Sequence, residues 1–135
     1  MPHRHEIKVR FYELDPYGHL NHSVFIQFFE VGRVELLEAA GLGLDMFAEM
    51  GYRFVVTGIE TSFDKPVVAG DVVTVETEVL EIRRASSRWR QRLRRDDEIV
   101  ARQLIRAAIT DATGRPVRAP ASLAVQLAPY LVRPE

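Results

Sequence analysis

Residues 13–22 read Glu13-Leu14-Asp15-Pro16-Tyr17-Gly18-His19-Leu20-Asn21-His22, and the run from His22 to Ala40 that follows is apolar at Phe25, Phe28, Phe29, Gly32, Leu36 and Ala40. Three- and four-residue spacing predicts one helix of about five turns. Asn21 is a good N-cap and Gly41 a good stop after its last residue. Val24, Ile26, Val31, Val34 and Leu37 widen the apolar stripe. A helix that greasy must be covered nearly all round. Ahead of it, the Pro/Gly turn sets the Asp15 carboxylate beside the open backbone N–H groups of a helix N-terminus. That arrangement pairs a base or nucleophile with a polarised carbonyl.

Outward from this stretch the chain reads as strands. Ile7, Val9 and Phe11 alternate with Lys8, Arg10 and Tyr12, the pattern of a half-buried first strand, with His3 and His5 in a frayed terminus before it. After the Gly41-Leu42-Gly43 break comes a short helix around Asp45–Met50. Strands are expected over 52–64, 72–84, 86–95 and 98–110, separated by Lys65-Pro66, Ala69-Gly70-Asp71 and Asp96-Asp97. In the third, Val73, Val75 and Val79 alternate with Thr74, Glu76 and Glu78. In the fourth, Trp89, Gln91 and Leu93 alternate with Arg88, Arg90, Arg92 and Arg94. In the last, Ile99, Ala101, Ile105, Ala107 and Ile109 share one face. The turn Asp111-Ala112-Thr113-Gly114 leads to a short helix or coil. A five-stranded antiparallel sheet wrapped around one long apolar helix satisfies every element, an α+β architecture over 1–135. Its sheet has free edges, so a homo-oligomer is expected.

Composition narrows the function. A chain of 135 residues makes one domain with a real core. A formal net charge of −1 argues against a nucleic-acid binder. No apolar run is long enough to span a bilayer and the first residues hold no signal-peptide core, so no membrane association is expected and the cytoplasm is the default location. The absence of cysteine removes disulfides, thiolate metal sites and Cys nucleophiles. His19 and His22 fall three residues apart, but no recognised spacing supplies a third or fourth metal ligand.

The pattern Asp15-x-x-Gly18-His19-x-Asn21-His22, followed by Phe28-Phe29-Glu30, resembles the hot-dog-fold acyl-CoA thioesterases of the 4-hydroxybenzoyl-CoA thioesterase branch, over roughly residues 6–128. The resemblance implies a dimer with a continuous sheet, often paired into a homotetramer. It implies hydrolysis of an acyl-CoA to a carboxylic acid and free CoA without cofactor or metal. Asp15 is then the catalytic carboxylate, and the His22 backbone amide polarises the thioester carbonyl. Three other readings stand beside this one. An acyl carrier protein thioesterase would use the same chemistry. A hot-dog hydratase would place Asp and His five residues apart, whereas Asp15 and His19 are four apart. A regulatory acyl-CoA binding module would carry a DNA-binding helix pair, for which there is no room.

The chemistry of these residues supports such a role and also allows simpler ones. A thioester needs a base or nucleophile and donors for the developing oxyanion, and its thiolate leaves readily. Asp15 can activate water or attack directly, while first-turn amides near His22 and Ser23 face the oxyanion. Equally, an Asp before Pro-x-Gly is a common turn former. Gly18 lets the turn bend and Pro16 fixes the backbone. His19 orders the turn or hydrogen-bonds near the thioester. Asn21 caps the helix or touches the carbonyl. Phe25 and Phe29, with Phe54, Val56 and Thr57, are the expected acyl-pocket residues. Glu30 and Arg33 either pair one turn apart or flank that pocket.

Arg83, Arg84, Arg88, Arg90, Arg92, Arg94, Arg95, Arg102 and Arg106 are nine of the eighteen Lys and Arg residues. They form either a solvated sheet face or a contact for the phosphates of coenzyme A, which bidentate arginine suits. Arg83 and Arg84, at a strand end before Ser86 and Ser87, are the better phosphate candidates.

Overall fold

The computed structural model describes residues 1–132. Five antiparallel strands, β1 (His3–Lys8), β2 (Arg53–Phe63), β3 (Val72–Ile82), β4 (Ser86–Arg95) and β5 (Glu98–Thr110), form one sheet in the order β1-β3-β4-β5-β2. The long helix α1 (His22–Ala39) lies across one face, followed by α2 (Leu44–Glu49); α3 (Ser122–Leu127) comes after the last strand. This is the expected hot-dog arrangement.

Both ends of α1 follow from the sequence. Asn21 Oδ1 accepts the Ser23 amide at 3.0 Å, and Gly41 ends the helix with φ +77°. Gly32 brings the helix down on β3: a Cβ built there would stand 2.4 Å from Val75 Cγ1. The apolar stripe feeds two core clusters. One, under the N-terminal half of α1, includes Phe25, Phe28, Phe29, Val75 and Leu93. The other, under its C-terminal half, includes Leu36, Leu37, Phe47, Trp89 and Ile109. Between them runs a polar row, buried at Thr77, Gln91 and Gln103, in which Thr77 pairs with Gln91, Gln91 with Gln103, and Gln103 with the half-buried Thr61 across four strands.

Three expectations need correction. The first strand ends at Lys8, and Phe11 lies in a 3₁₀ turn, Phe11–Glu13, with 80% of its surface exposed. The Glu13 side chain causes this by accepting the Arg10 amide at 2.7 Å and folding the chain away from the sheet. His3 and His5 are not frayed; they belong to β1, opposite Thr77 and Val75. Ile99 leaves the inner face because Leu93 pairs with Ala101 and Arg94 with Ile99, which makes Val100 the extra residue of a bulge. A bulge reverses the alternation beyond it.

Candidate active site

The link between β2 and β3 must cross from one edge of the sheet towards the other, and on its way it passes the start of α1. Val67 in that link accepts the Leu20 amide at 2.6 Å. Leu14 bridges Leu20, and Glu13 accepts the Asn21 amide at 3.0 Å, so residues 14–20 form a closed loop against the helix N-terminus. Asp15 sits at its base. Its Oδ1 accepts the amides of Tyr17 at 2.9 Å and His19 at 3.1 Å, and Gly18 turns the loop with φ +79°.

The turn-forming and chemical readings of Asp15 therefore fall on different oxygens. Oδ1 holds the loop, whereas Oδ2 has no hydrogen-bond partner among the described residues. Asp15, His19, Leu20, His22, Phe25, Phe63, Asp64, Lys65 and Pro66 line one open groove of about 260 Å³. Phe63 meets the Phe25 ring edge-on at 5.3 Å and the His22 ring at 6.4 Å.

The first turn of α1 sharpens the choice of donor. Asn21 Oδ1 takes the Ser23 amide, and the Asn21 carbonyl takes those of Val24 at 2.9 Å and Phe25 at 3.1 Å. His22 N–H is the first-turn amide left without an acceptor among the described residues. Ser23 is thus removed as a free donor. Asn21 acts as the cap, and by capping it selects which amide stays open.

Other expected residues lie elsewhere. Phe29 is fully buried in the core and does not reach the groove. Phe54 and Val56 line a separate cavity between α1, α2 and β2, and Thr57 is the extra residue of a bulge in β2. Glu30 and Arg33 form no ion pair; Arg33 instead donates from Nη1 to Gln91 Oε1 and Gln103 Oε1, both at 2.8 Å. Burial holds the Arg33 guanidinium below its ordinary range, while the charge of Glu30 opposes that shift. Gln103 was missed in the sequence, because only the strand register places it beside Gln91.

The arginine face is largely neutralised from within. Arg90 and Arg92 reach Glu78 at 3.2 and 3.4 Å, Arg94 reaches Glu76 at 2.5 Å, Arg88 reaches Glu81 at 3.4 Å and Arg102 reaches Asp64 at 3.3 Å. Arg83 also pairs with Glu81. Arg83 and Arg84 occupy the β3–β4 turn, whereas the Asp15 groove lies beside Phe63, at the other end of the strands. Within one protomer they do not meet.

Comparison with known proteins agrees with this architecture. The sequence profile of the Thioesterase-like superfamily matches residues 9–127. The chloroplastic acyl-acyl carrier protein thioesterase ATL3 of Arabidopsis thaliana is 34% identical over 57% of this chain, though that match spans only 40% of the plant protein. The acyl-CoA thioesterase YbgC of Haemophilus influenzae is 27% identical over 78% of each chain. Among solved structures, a hypothetical protein of Thermus thermophilus superposes with a TM-score of 0.88 at 30% identity, covering 94% of this chain and 98% of that one. The chain belongs to the Thioesterase-like superfamily.

Proposed function

We propose that this protein is an acyl-CoA thioesterase, hydrolysing an acyl-CoA to a carboxylic acid and free coenzyme A. The observation that carries the reading is the pairing, in one groove, of an Asp15 oxygen without a partner and a His22 amide without an acceptor. The thioester carbonyl oxygen accepts the His22 N–H, which stabilises the charge that grows on it during attack. Asp15 Oδ2 removes a proton from the attacking water, or attacks the carbonyl carbon itself to give an anhydride that water then opens. The tetrahedral intermediate collapses by expelling the CoA thiolate. His19, donating its amide to Oδ1, keeps the carboxylate oriented. A panel of acyl-CoA thioesters read by thiol release tests the activity. The same acyl groups on carrier protein test the reading suggested by the plant relative.

The working unit is a homodimer joined through β2, from which a tetramer can be built. That edge strand exposes Val55, Val56, Ile59 and Phe63 by 42, 43, 50 and 47%, a surface prone to pair with another strand. The opposite edge, β1, is short and carries Arg4, Glu6 and Lys8. An antiparallel β2 pair would bring the partner subunit's Arg83 and Arg84 to the sheet end that holds Asp15. At about 4.8 Å per strand they would lie roughly three strands away, within reach of an extended pantetheine arm. A cytoplasmic location follows from this substrate. Sedimentation tests the assembly; a stable, active monomer would rule out the shared site.

A further inference from the structure

The buried polar row raises a question that the proposed hydrolysis leaves open, because it holds a cation that makes no ion pair among the described residues. Arg33 lies half-buried on α1, with both hydrogen bonds made from Nη1 to neutral glutamine oxygens. Its Nε and Nη2 have no partner among the described residues, and no carboxylate pairs with it. A cation taken partly out of water without an anion is costly, so such groups are normally matched. The free edge is also particular. Nε and Nη2 together form the side of a guanidinium that grips a carboxylate through two parallel hydrogen bonds. Gln91 and Gln103, fully buried and fixed in the sheet, leave that edge presented and restrain its rotation.

Arg33 lines a cavity of about 110 Å³ whose other walls include Val34, Leu37, Leu44, Phe54 and Trp89. Glu30 also borders it without pairing to Arg33. Gln103, which holds Arg33, pairs with Thr61, two residues along β2 from Phe63 in the Asp15 groove. Two strand residues span about 7 Å. The guanidinium is anchored about 10 Å down the α1–β2 seam from the His22 amide, because Gln91, which holds Arg33, also donates to the Phe29 carbonyl seven helical residues beyond His22.

We infer that Arg33 is a specificity-determining residue that binds a carboxylate at the far end of the acyl group, making short dicarboxylyl thioesters the preferred substrates. The inference rests on the thioesterase reading and on Asp15 marking the reacting end. An unbranched apolar chain of the same length leaves the Arg33 edge unmatched and is turned over more slowly.

The test compares glutaryl-CoA and adipyl-CoA with pentanoyl-CoA and hexanoyl-CoA. In the wild type the ω-carboxylate should raise kcat/KM by about tenfold to a hundredfold, the range for a charge-assisted contact. Arg33→Met should abolish that preference while leaving the uncharged pair within a few fold, and Arg33→Lys, which preserves the charge, should retain part of it. Equal rates on both classes in the wild type, or equal losses in Arg33→Met, would overturn the inference. A binding measurement separates this failure from loss of the thioesterase reading. Adipate, but not hexanoate, should raise the melting temperature of the wild type and not of Arg33→Met, even if no thioester is cleaved. Finally, Glu30→Gln should leave self-association unchanged. If it weakens the oligomer and the acyl preference is absent, the carboxylate meeting Arg33 comes from a second copy of the chain and the substrate assignment is wrong.

Discussion

Gly32 and Val75 are in such close contact that helix α1 can sit at its present height only without a side chain at residue 32. A Cβ on Gly32 would approach Val75 Cγ1 to 2.4 Å and Thr77 Oγ1 to 3.1 Å, and both partners are fully buried in β3. Gly32→Ala gains about 1 kcal/mol of helix propensity. Overpacking of a dense core costs roughly 1–3 kcal/mol and more when the neighbours cannot yield. We expect a net loss of about 1–2 kcal/mol, visible as a lower urea midpoint with unchanged slope. Adding Val75→Ala to Gly32→Ala should recover part of that loss; strict additivity of the two changes would show that the contact is not the cause.

Glu76 sets an acid limit on the fold. It is 5% exposed and lies between Arg94 at 2.5 Å and Arg4 at 2.9 Å, tying β1 and β4 to β3. Burial pushes its carboxyl up, but the hydrogen bonds from Arg94 and Arg4 outweigh this and hold it below the usual range. A carboxylate depressed in the folded state contributes stability above its unfolded value of about 4.3. That contribution disappears as the pH falls through the lower folded value. Stability should therefore be flat near neutrality and fall below about pH 4.3, with part of the slope removed in Glu76→Gln. At pH 7 that variant should lose about 1–2 kcal/mol, restrained because Arg4 is half in water. An unchanged acid transition in Glu76→Gln would assign the slope to other carboxylates.

Replacing Arg83 and Arg84 together with Ala tests whether the nucleotide is held across the proposed interface. The KM for an acyl-CoA should rise by about tenfold or more, since charge-assisted hydrogen bonds contribute roughly 1.5–3 kcal/mol each. A short thioester without the nucleotide should be little affected. Equal losses on both would indicate a folding effect, and no loss would return these residues to the solvated face where Arg83 already pairs with Glu81.

The helix that carries the candidate site was legible because its period, its Asn21 cap and its Gly41 stop all agree, and β5 was legible because turns punctuate both its ends. What period and punctuation cannot encode was lost. Phe11 continues an alternating pattern, yet the Glu13 side chain captures the Arg10 amide and ends the strand early. Ile99 matches its neighbours by parity until the bulge at Val100, itself buried in the core, shifts the register. The meeting of Gln91 with Gln103 depends on register, and register also sets Arg83 and Arg84 at the sheet end away from Asp15. Phe29 has the composition of a pocket residue, but its angular position on α1 turns it into the core. For the candidate site the motif named Asp15 and His22, whereas which Asp15 oxygen holds the loop and which is left open is a matter of loop geometry.

That division makes Asp15→Asn an informative substitution. The Asn side-chain oxygen can still accept the Tyr17 and His19 amides that Asp15 Oδ1 accepts at 2.9 and 3.1 Å, so the loop should keep its shape. The other position changes from a carboxylate oxygen to an amide NH₂, which neither takes a proton from water nor attacks a carbonyl. We expect kcat on the best acyl-CoA to fall by at least about 100-fold, the low end for losing a general base. Acyl-CoA binding and the melting temperature should stay close to wild type, because the loop contacts survive. Asp15→Ala removes both oxygens and should lower stability as well as kcat. A variant Asp15→Asn that turns over at near wild-type rate would falsify the assignment and move the search to His19 and Glu30.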